Sequence, residues 1–331
     1  MIRSEEISVV VQGAAGADAA RCLSSIRKYL PKAELILSTW EGTNTSGLDF
    51  DKLILSKDPG GVLHDLKYNN YNNVNRQLLS TQAGIKKSSR KYVLKIRTDF
   101  YLKNANFLLF FDCFPECESE FHFFKERVMV LSPYSREVSC ENGLPTPFHP
   151  SDFIFFGLRE DLEAYFLETP LMSEKDMASC VYKNYKNAPY ESCTWKMSPE
   201  QYFCCNFFKK YVHFEFEDCT CWNKDNIFLS KNLLMNNFMF IDPDIGGFGS
   251  EKHSCIMNNF MKLSGLITMD KFINDYENRN STHVDNRIFI IQKIMKHKKI
   301  VKSFRVCKYL ESFLALLFYR IKFIVMFHKV Y

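Results

Sequence analysis

The sequence predicts an α/β fold: a mostly parallel sheet flanked by helices, followed by a basic amphipathic helical tail. Two observations predict the sheet. Short β-branched runs alternate with segments of helical spacing over the first hundred residues, and each run ends in polar residues or glycine. The tail follows from charge. From Lys293 to the end there are ten Lys/Arg against one acid, Glu311, which leaves 33 basic and 37 acidic side chains in the first 292 residues.

Residues 7–12 (ISVVVQ) read as the first strand, ending at Gly13. Asp18 is the expected N-cap of the helix that follows, with Cys22, Leu23, Ile26 and Leu30 along one face and Pro31 as its stop. Residues 34–39 (ELILST) and 52–56 (KLILS) read as the second and third strands. Residues 72–87 read as a helix with Val74, Leu78 and Ile85 on one side, and 91–96 (KYVLKI) as a fourth strand running into Arg97, Thr98 and Asp99. Ligands of parallel sheets sit beyond the carboxyl ends of the strands. That rule places Gln12 and Gly13, Thr39 and Trp40, Lys57 and Asp58, and Arg97 to Asp99 along one edge.

The second half is less regular. Residues 128–131 read as a strand, 132–150 as a proline-bearing loop, 153–156 as an aromatic strand ending at Gly157, and 159–166 as a short helix. Ser198 with Pro199 reads as a helix start, and Gly246 to Gly249 as a loop. The predicted organisation is a catalytic domain over 1–290 and a tail over 291–331.

With 331 residues and 46% hydrophobic content, the chain can bury a full core. Its twelve cysteines show no regular framework, and the start (MIRSEEISVVVQG) lacks the pattern of a secretory signal. Reduced thiols in a cytoplasm are the expected state. Cys113 with Cys117, and Cys219 with Cys221, lack the second half-site of a structural zinc. In the tail, Lys296, Lys298, Lys299, Lys302, Arg305 and Lys308 lie among Ile300, Val301, Phe304 and Leu310. No run there reaches the length of a spanning helix, and the mixture fits an interfacial helix on anionic lipid. The body carries no companion basic face, which argues against nucleic acid as a partner.

Asp99 is the first candidate for chemistry. A carboxylate just past a buried strand can hold magnesium or manganese, which would bridge the phosphates of a nucleoside diphosphate leaving group. Arg97 points to the same side and would pair either with phosphate or with Asp99. Asn73, Arg76 and Gln77 open the helix before that strand, a polar start suited to a diphosphate. Asp58 heads a turn that either contacts the nucleotide or simply reverses the chain. Asp152, beside His149, would bind sugar hydroxyls or take the acceptor proton, and Glu200 is its rival as base. Trp195 is a candidate for stacking on a sugar.

Several of these segments, in order, resemble the WavE family of lipopolysaccharide-synthesis proteins. They are VVVQG (9–13), CLSSIRKYLPKAELILSTWEG (22–42), DKLILSKDPGG (51–61), NNVNRQLLSTQAGIKK (72–87), KYVLKIRTD (91–99) and PFHPSDFIFFGL (147–158). The resemblance implies a GT-A-like fold, one Rossmann-like α/β domain with a mixed, mostly parallel sheet, and a glycosyltransferase of outer-core lipopolysaccharide or capsule synthesis. Its donor would be a nucleotide sugar and its acceptor lipid-linked or lipopolysaccharide. Asp99 would stand in the acidic metal motif, in which Arg97 replaces the first acid. The expected location is the inner face of the cytoplasmic membrane, reached through the tail. The alternatives are sugar-phosphate or nucleotidyl transfer in the same pathway, or a non-catalytic assembly partner docked on the membrane.

Overall fold

Strand β1 (Ile7–Gln12), helix α1 (Ala17–Tyr29), β2 (Glu34–Trp40) and β3 (Lys52–Ser56) follow one another as the sequence predicts. A small hairpin, β4 (Val62–Asp65) and β5 (Asn70–Asn72), precedes α2 (Val74–Lys87). Then come β6 (Tyr92–Arg97), β7 (Tyr101–Leu102), β8 (Val128–Leu131), β9 (Arg136–Val138), β10 (Pro145–His149), β11 (Ile154–Leu158) and α3 (Arg159–Phe166). The chain continues through α4 (Glu174–Met177), α5 (Pro199–Phe208), α6 (Lys224–Asn237), β12 (Phe238–Ile241), α7 (Pro243–Gly246), β13 (Phe248–Gly249), α8 (Ser254–Asn259) and α9 (Met269–Arg279). This structure is a computed structural model. It describes residues 2–65, 69–177, 189, 196–259, 264–280, 285, 287 and 293. Trp195 and, Lys293 apart, the basic tail lie outside the described residues. The chain divides into two units, Met1–Ser281 and Thr282–Tyr331, and the elements above belong to the first.

Seven strands form one sheet in the order β12-β8-β11-β6-β1-β2-β3. Strands β6, β1, β2 and β3 are mutually parallel, and β12 is parallel to β8. Only β11 is reversed, pairing antiparallel with both β6 and β8. The predicted architecture, a mixed but mostly parallel sheet flanked by helices, is the one observed. Register fixes what shares an edge. Gln12 pairs with Ser38 and Arg97, while Ile154 at the start of β11 pairs with Ile96 at the end of β6. The carboxyl ends of the parallel strands and the amino end of β11 therefore lie together.

The strands are buried because both faces are covered: β1, β8, β11 and β12 are buried at every position. Helix α2 lies close on β1 and β2. A Cβ at Gly84 would fall 2.2 Å from Val10 Cγ1, so only glycine permits that approach. The aromatic content fills the other side of the core. Phe156 packs against Phe107, Phe111 and Tyr92 at ring separations of 5.0, 4.8 and 5.9 Å.

Four local expectations are corrected. The N-cap of α1 is Gly16 and not Asp18, which sits in the first turn where a carboxylate still complements the helix dipole. Helix α2 starts at Val74, because Asn70–Asn72 is already used in the hairpin with β4. The expected loop over 132–150 contains the β9–β10 hairpin. The glycine segment 246–249 is partly a strand: β13 pairs with β7, and Gly247 takes φ +87°, where a Cβ would strike Asn104.

Candidate active site

Asp99 lies just past β6, at the carboxyl edge, with its side chain 11% exposed. Arg97 grips it with two hydrogen bonds, Nε to Oδ1 at 3.0 Å and Nη2 to Oδ2 at 2.7 Å. Two residues that the sequence did not single out complete the cluster. His253 Nε2 and Lys252 Nζ each stand 3.3 Å from Asp99 Oδ2. The β7–β13 pairing brings them there from far along the chain, His253 from 154 residues beyond Asp99. Ser250 Oγ then pins the loop by donating to the Asp99 carbonyl at 2.7 Å. Burial alone would raise the pKa of Asp99, but the contacts from His253 and Arg97 outweigh it and hold the carboxyl far below its usual range. Asp99 is thus a carboxylate at every working pH. Beneath it, Phe153 carries the Arg97 guanidinium at 5.0 Å and the His253 ring at 4.9 Å.

The second group gathers at the start of β11. Gln77 Nε2, from the first turn of α2, donates to the carbonyl and to Oδ2 of Asp152 at 2.9 and 3.0 Å. Lys95, fully buried on β6, donates from Nζ to the carbonyls of Asp152 at 2.6 Å and Phe153 at 3.4 Å. Glu200 enters from the first turn of α5, whose start has the predicted form: Ser198 caps, Pro199 follows, and Gln201 closes a capping box. Burial raises the pKa of Asp152, and repulsion from Glu200 raises it further against the pull of Lys95 and Arg97. Burial raises Glu200 as well. Two buried carboxyls that oppose each other's ionisation are poised to take up a proton. His149 pairs differently from the expectation. Its Nδ1 is 2.9 Å from the Tyr134 carbonyl, and its Nε2 is 3.7 Å from Glu200 Oε2. Burial and the nearby Arg136 push His149 down to about 3, so it is neutral and its contact with Glu200 is not an ion pair.

The residues predicted to hold a nucleotide divide into two groups. Asp58, Arg76 and Asn73 meet beyond β3. Arg76 donates to Asp58 at 2.7 and 2.8 Å and to Asn73 Oδ1 at 2.7 Å, and this cluster is open to solvent. Gln12 is 3% exposed and accepts from Ser80 Oγ at 2.8 Å. Gly13, at φ +123°, lies so close to Thr98 that a Cβ would sit 2.9 Å from its hydroxyl. Trp40 is half-buried at the end of β2, whereas Thr39 is wholly buried with an unpartnered hydroxyl and does not reach the crevice. Gln77, expected near the diphosphate, is committed to Asp152.

Tyr134 is a further residue missed by sequence reasoning. It follows β8 in the turn Ser132-Pro133-Tyr134-Ser135, closed by Ser135 N–H donating to the Ser132 carbonyl at 3.0 Å. Its φ is +67°, in the position that a type II turn reserves for glycine or asparagine. A tyrosine there costs about 1–2 kcal/mol. Its half-buried ring meets Phe153 at 5.0 Å and the Arg136 guanidinium at 5.3 Å. The signal was present in the sequence as a Pro-Tyr pair where Pro-Gly is usual.

No group of three or more His, Cys, Asp or Glu side chains able to hold a divalent metal occurs among the described residues. A two-donor site does occur: Asp99 Oδ2 and His253 Nε2, 3.3 Å apart. Magnesium and manganese bound with nucleotides commonly take only one or two protein ligands, the phosphates and water supplying the rest. Arg97 Nη2 and Lys252 Nζ hold the same Oδ2, and Arg97 Nη2 also stands 3.4 Å from His253 Nε2, so the pair fits such an ion once those two cations turn to the phosphates.

The profile of the WavE lipopolysaccharide synthesis family matches residues 7–305. No curated protein sequence matches the chain. Among solved structures, a Drosophila beta-1,4-galactosyltransferase 7 mutant in complex with manganese, UDP-Gal and xylobiose aligns at 9% identity with a TM-score of 0.26. That alignment covers 48% of this chain and 51% of that one, so the chain spans about half the length of that structure.

Proposed function

The chain belongs to the WavE lipopolysaccharide synthesis family, and from that premise we propose that it is a glycosyltransferase. It moves a sugar from a nucleotide-sugar donor to a lipopolysaccharide-core or other surface-polysaccharide acceptor. The observation that carries this reading is the meeting, at one sheet edge, of an ionised Asp99 cluster with a pair of buried, proton-seeking carboxyls.

In this reading the nucleoside occupies the β1–β3 side of the edge, near Trp40 and the Asp58–Arg76 cluster. The diphosphate lies at Arg97 and Lys252, which supply fixed positive charge and hydrogen-bond donors. Asp99 and His253 would hold a manganese or magnesium ion, which adds charge against the leaving group when bound. Asp152 and Glu200 sit on the other side, toward β8. One of the pair accepts the acceptor hydroxyl proton as the new C1–O bond forms. The bond from C1 to the phosphate oxygen breaks, and the nucleoside diphosphate departs with its electrons. His149 stays neutral and fixes the Tyr134 carbonyl, while Gln77 and Lys95 hold the main chain of Asp152 in place.

The basic tail brings the enzyme to the anionic inner face of the cytoplasmic membrane, where an amphiphilic acceptor is found. Among the described residues no helix is long and apolar enough to cross a membrane. Sedimentation with phosphatidylglycerol vesicles tests this part. The full chain is expected to co-sediment, and a chain ending at residue 290 to stay in the supernatant. The activity is tested by incubating the full chain with labelled nucleotide sugars and a core oligosaccharide. Release of a nucleoside diphosphate (or CMP) together with a labelled saccharide is the expected result. Release of pyrophosphate would identify nucleotidyl transfer instead.

A further inference from the structure

We propose that Tyr134 is the platform for the acceptor sugar. A pyranose would seat its apolar face on the tyrosine ring and turn its reacting hydroxyl toward Asp152 and Glu200. This rests on the glycosyltransferase reading and adds to it the side of the crevice, and the residue, that receives the acceptor.

The turn itself gives no reason for an aromatic residue. Pro133 sets its first corner, and Tyr134 stands in the left-handed position that favours glycine. Backbone strain of this kind persists only where its surroundings enforce it. Here the Tyr134 carbonyl is tied to His149 Nδ1 at 2.9 Å, and Ser135 Oγ is bound at both ends, donating to the Leu131 carbonyl at 2.6 Å and accepting from Ser151 N–H at 2.9 Å. The ring is neither core nor free surface. It is half-buried and braced by Phe153 and Arg136. A braced, half-buried aromatic ring, with the Arg136 guanidinium over it and carboxyl groups near it, is the chemistry that binds a sugar ring, apolar on its C–H face and polar at its rim.

Position separates acceptor from donor. Tyr134 follows β8, which β11 and β6 separate from the nucleotide side at β1–β3. The phenol also lies within electrostatic reach of Glu200 and Asp152. A sugar on Tyr134 therefore reaches the base from the β8 side, next to Phe153, whose other contacts are Arg97 and His253 at the leaving-group site.

The test uses the full chain as wild type, Tyr134→Phe and Tyr134→Gly. Glycine relieves the left-handed strain of about 1–2 kcal/mol and loses a similar amount through the missing ring contacts and a freer unfolded chain, so its melting temperature is expected to hold. Saturation-transfer NMR is run with methyl β-D-galactopyranoside, methyl β-D-glucopyranoside and methyl α-D-mannopyranoside in the presence of UDP. UDP affinity is measured separately by calorimetry. Wild type and Tyr134→Phe are expected to transfer saturation to the ring protons of at least one glycoside. In Tyr134→Gly that transfer should fall about tenfold with UDP affinity unchanged. Three results would overturn the inference: transfer preserved in Tyr134→Gly, no transfer from a wild type that binds UDP, or loss of UDP and glycoside binding together in Tyr134→Gly. A wild type that binds no nucleotide would instead bring down the glycosyltransferase reading on which the inference stands.

Discussion

Replacing Lys95 with methionine keeps an unbranched side chain one atom shorter and deletes its charge and hydrogen bonds. In the native structure Nζ donates to the Asp152 carbonyl at 2.6 Å and, more weakly, to the Phe153 carbonyl at 3.4 Å. A charged donor in such a bond contributes about 1.5–3 kcal/mol. The Asp152 carbonyl keeps a second donor, Gln77 Nε2 at 2.9 Å, so it is not orphaned and the loss stays toward the lower end. Methionine also relieves the burial of an ammonium group with no exposed surface. The net expectation is a loss of about 2 kcal/mol, or a melting temperature lower by about 4–8 °C for a domain of this size. A second effect sets this residue apart from a merely structural one. Burial and Glu200 raise Asp152, and Lys95 opposes them. Without Lys95 the acid limb of the activity profile moves to higher pH. Burial also depresses Lys95 below its unfolded pKa, so the unfolded chain holds the proton longer and wild-type stability gains as pH rises toward about 10. Lys95→Met lacks that gain. Scanning calorimetry and a pH–rate profile measure the two effects. A melting temperature that rises at neutral pH would show that burial of the ammonium dominates. An unmoved acid limb would show that Lys95 does not act on Asp152.

Further outcomes follow from other sites. Glu34 receives hydrogen bonds from Lys52, Ser8 and Ser89, which overcome its burial and lower its pKa to about 2. Glu34→Gln is therefore expected to lose about 2–3 kcal/mol at neutral pH, and urea denaturation should show the gap closing as pH falls from about 4.5 to 2. A gap constant with pH would contradict this. Gly84→Ala places a methyl against Val10, so it should destabilise by about 1–3 kcal/mol despite alanine's better helix propensity. A more stable variant in the same titration would show that α2 shifts freely. Asp152→Asn and Glu200→Gln separate the two carboxyls. The one that takes the proton should lose about 10²–10⁴-fold in turnover with donor affinity kept. Full turnover in both would remove the pair from catalysis.

The fold was legible where one local pattern dominates. Residues 7–12 and 128–131 are apolar runs buried at every position, 52–56 is an apolar run that stays half-buried at the sheet's edge, and Ser198-Pro199 announces a helix by its capping chemistry alone. The edge that carries Gln12, Arg97 and Asp99 was legible for the same reason, since strand ends follow from strand order, whereas Asp152 joins it only through the antiparallel pairing of β11 with β6. The missing members are long-range. His253 and Lys252 reach Asp99 through β13 and β7, each only two residues long and too short to show a period. Asn72 and Asn73 were read as helix because β5 takes its partner β4 from across a hairpin. Lys95 reads as one polar residue on an apolar strand. Nothing in KYVLKI shows that its ammonium will lie under the main chain of Asp152, 57 residues away.

The central claim is that the Asp99 cluster holds the diphosphate end of a nucleotide together with a divalent ion. Calorimetric titration of the full chain with UDP, with and without manganese, tests it most directly, using wild type, Asp99→Asn and His253→Ala with circular dichroism to verify folding. Manganese should tighten UDP binding to the wild type by about tenfold or more and leave both variants unaffected. The same manganese-dependent affinity in folded Asp99→Asn would place the nucleotide, or its metal, elsewhere on the chain.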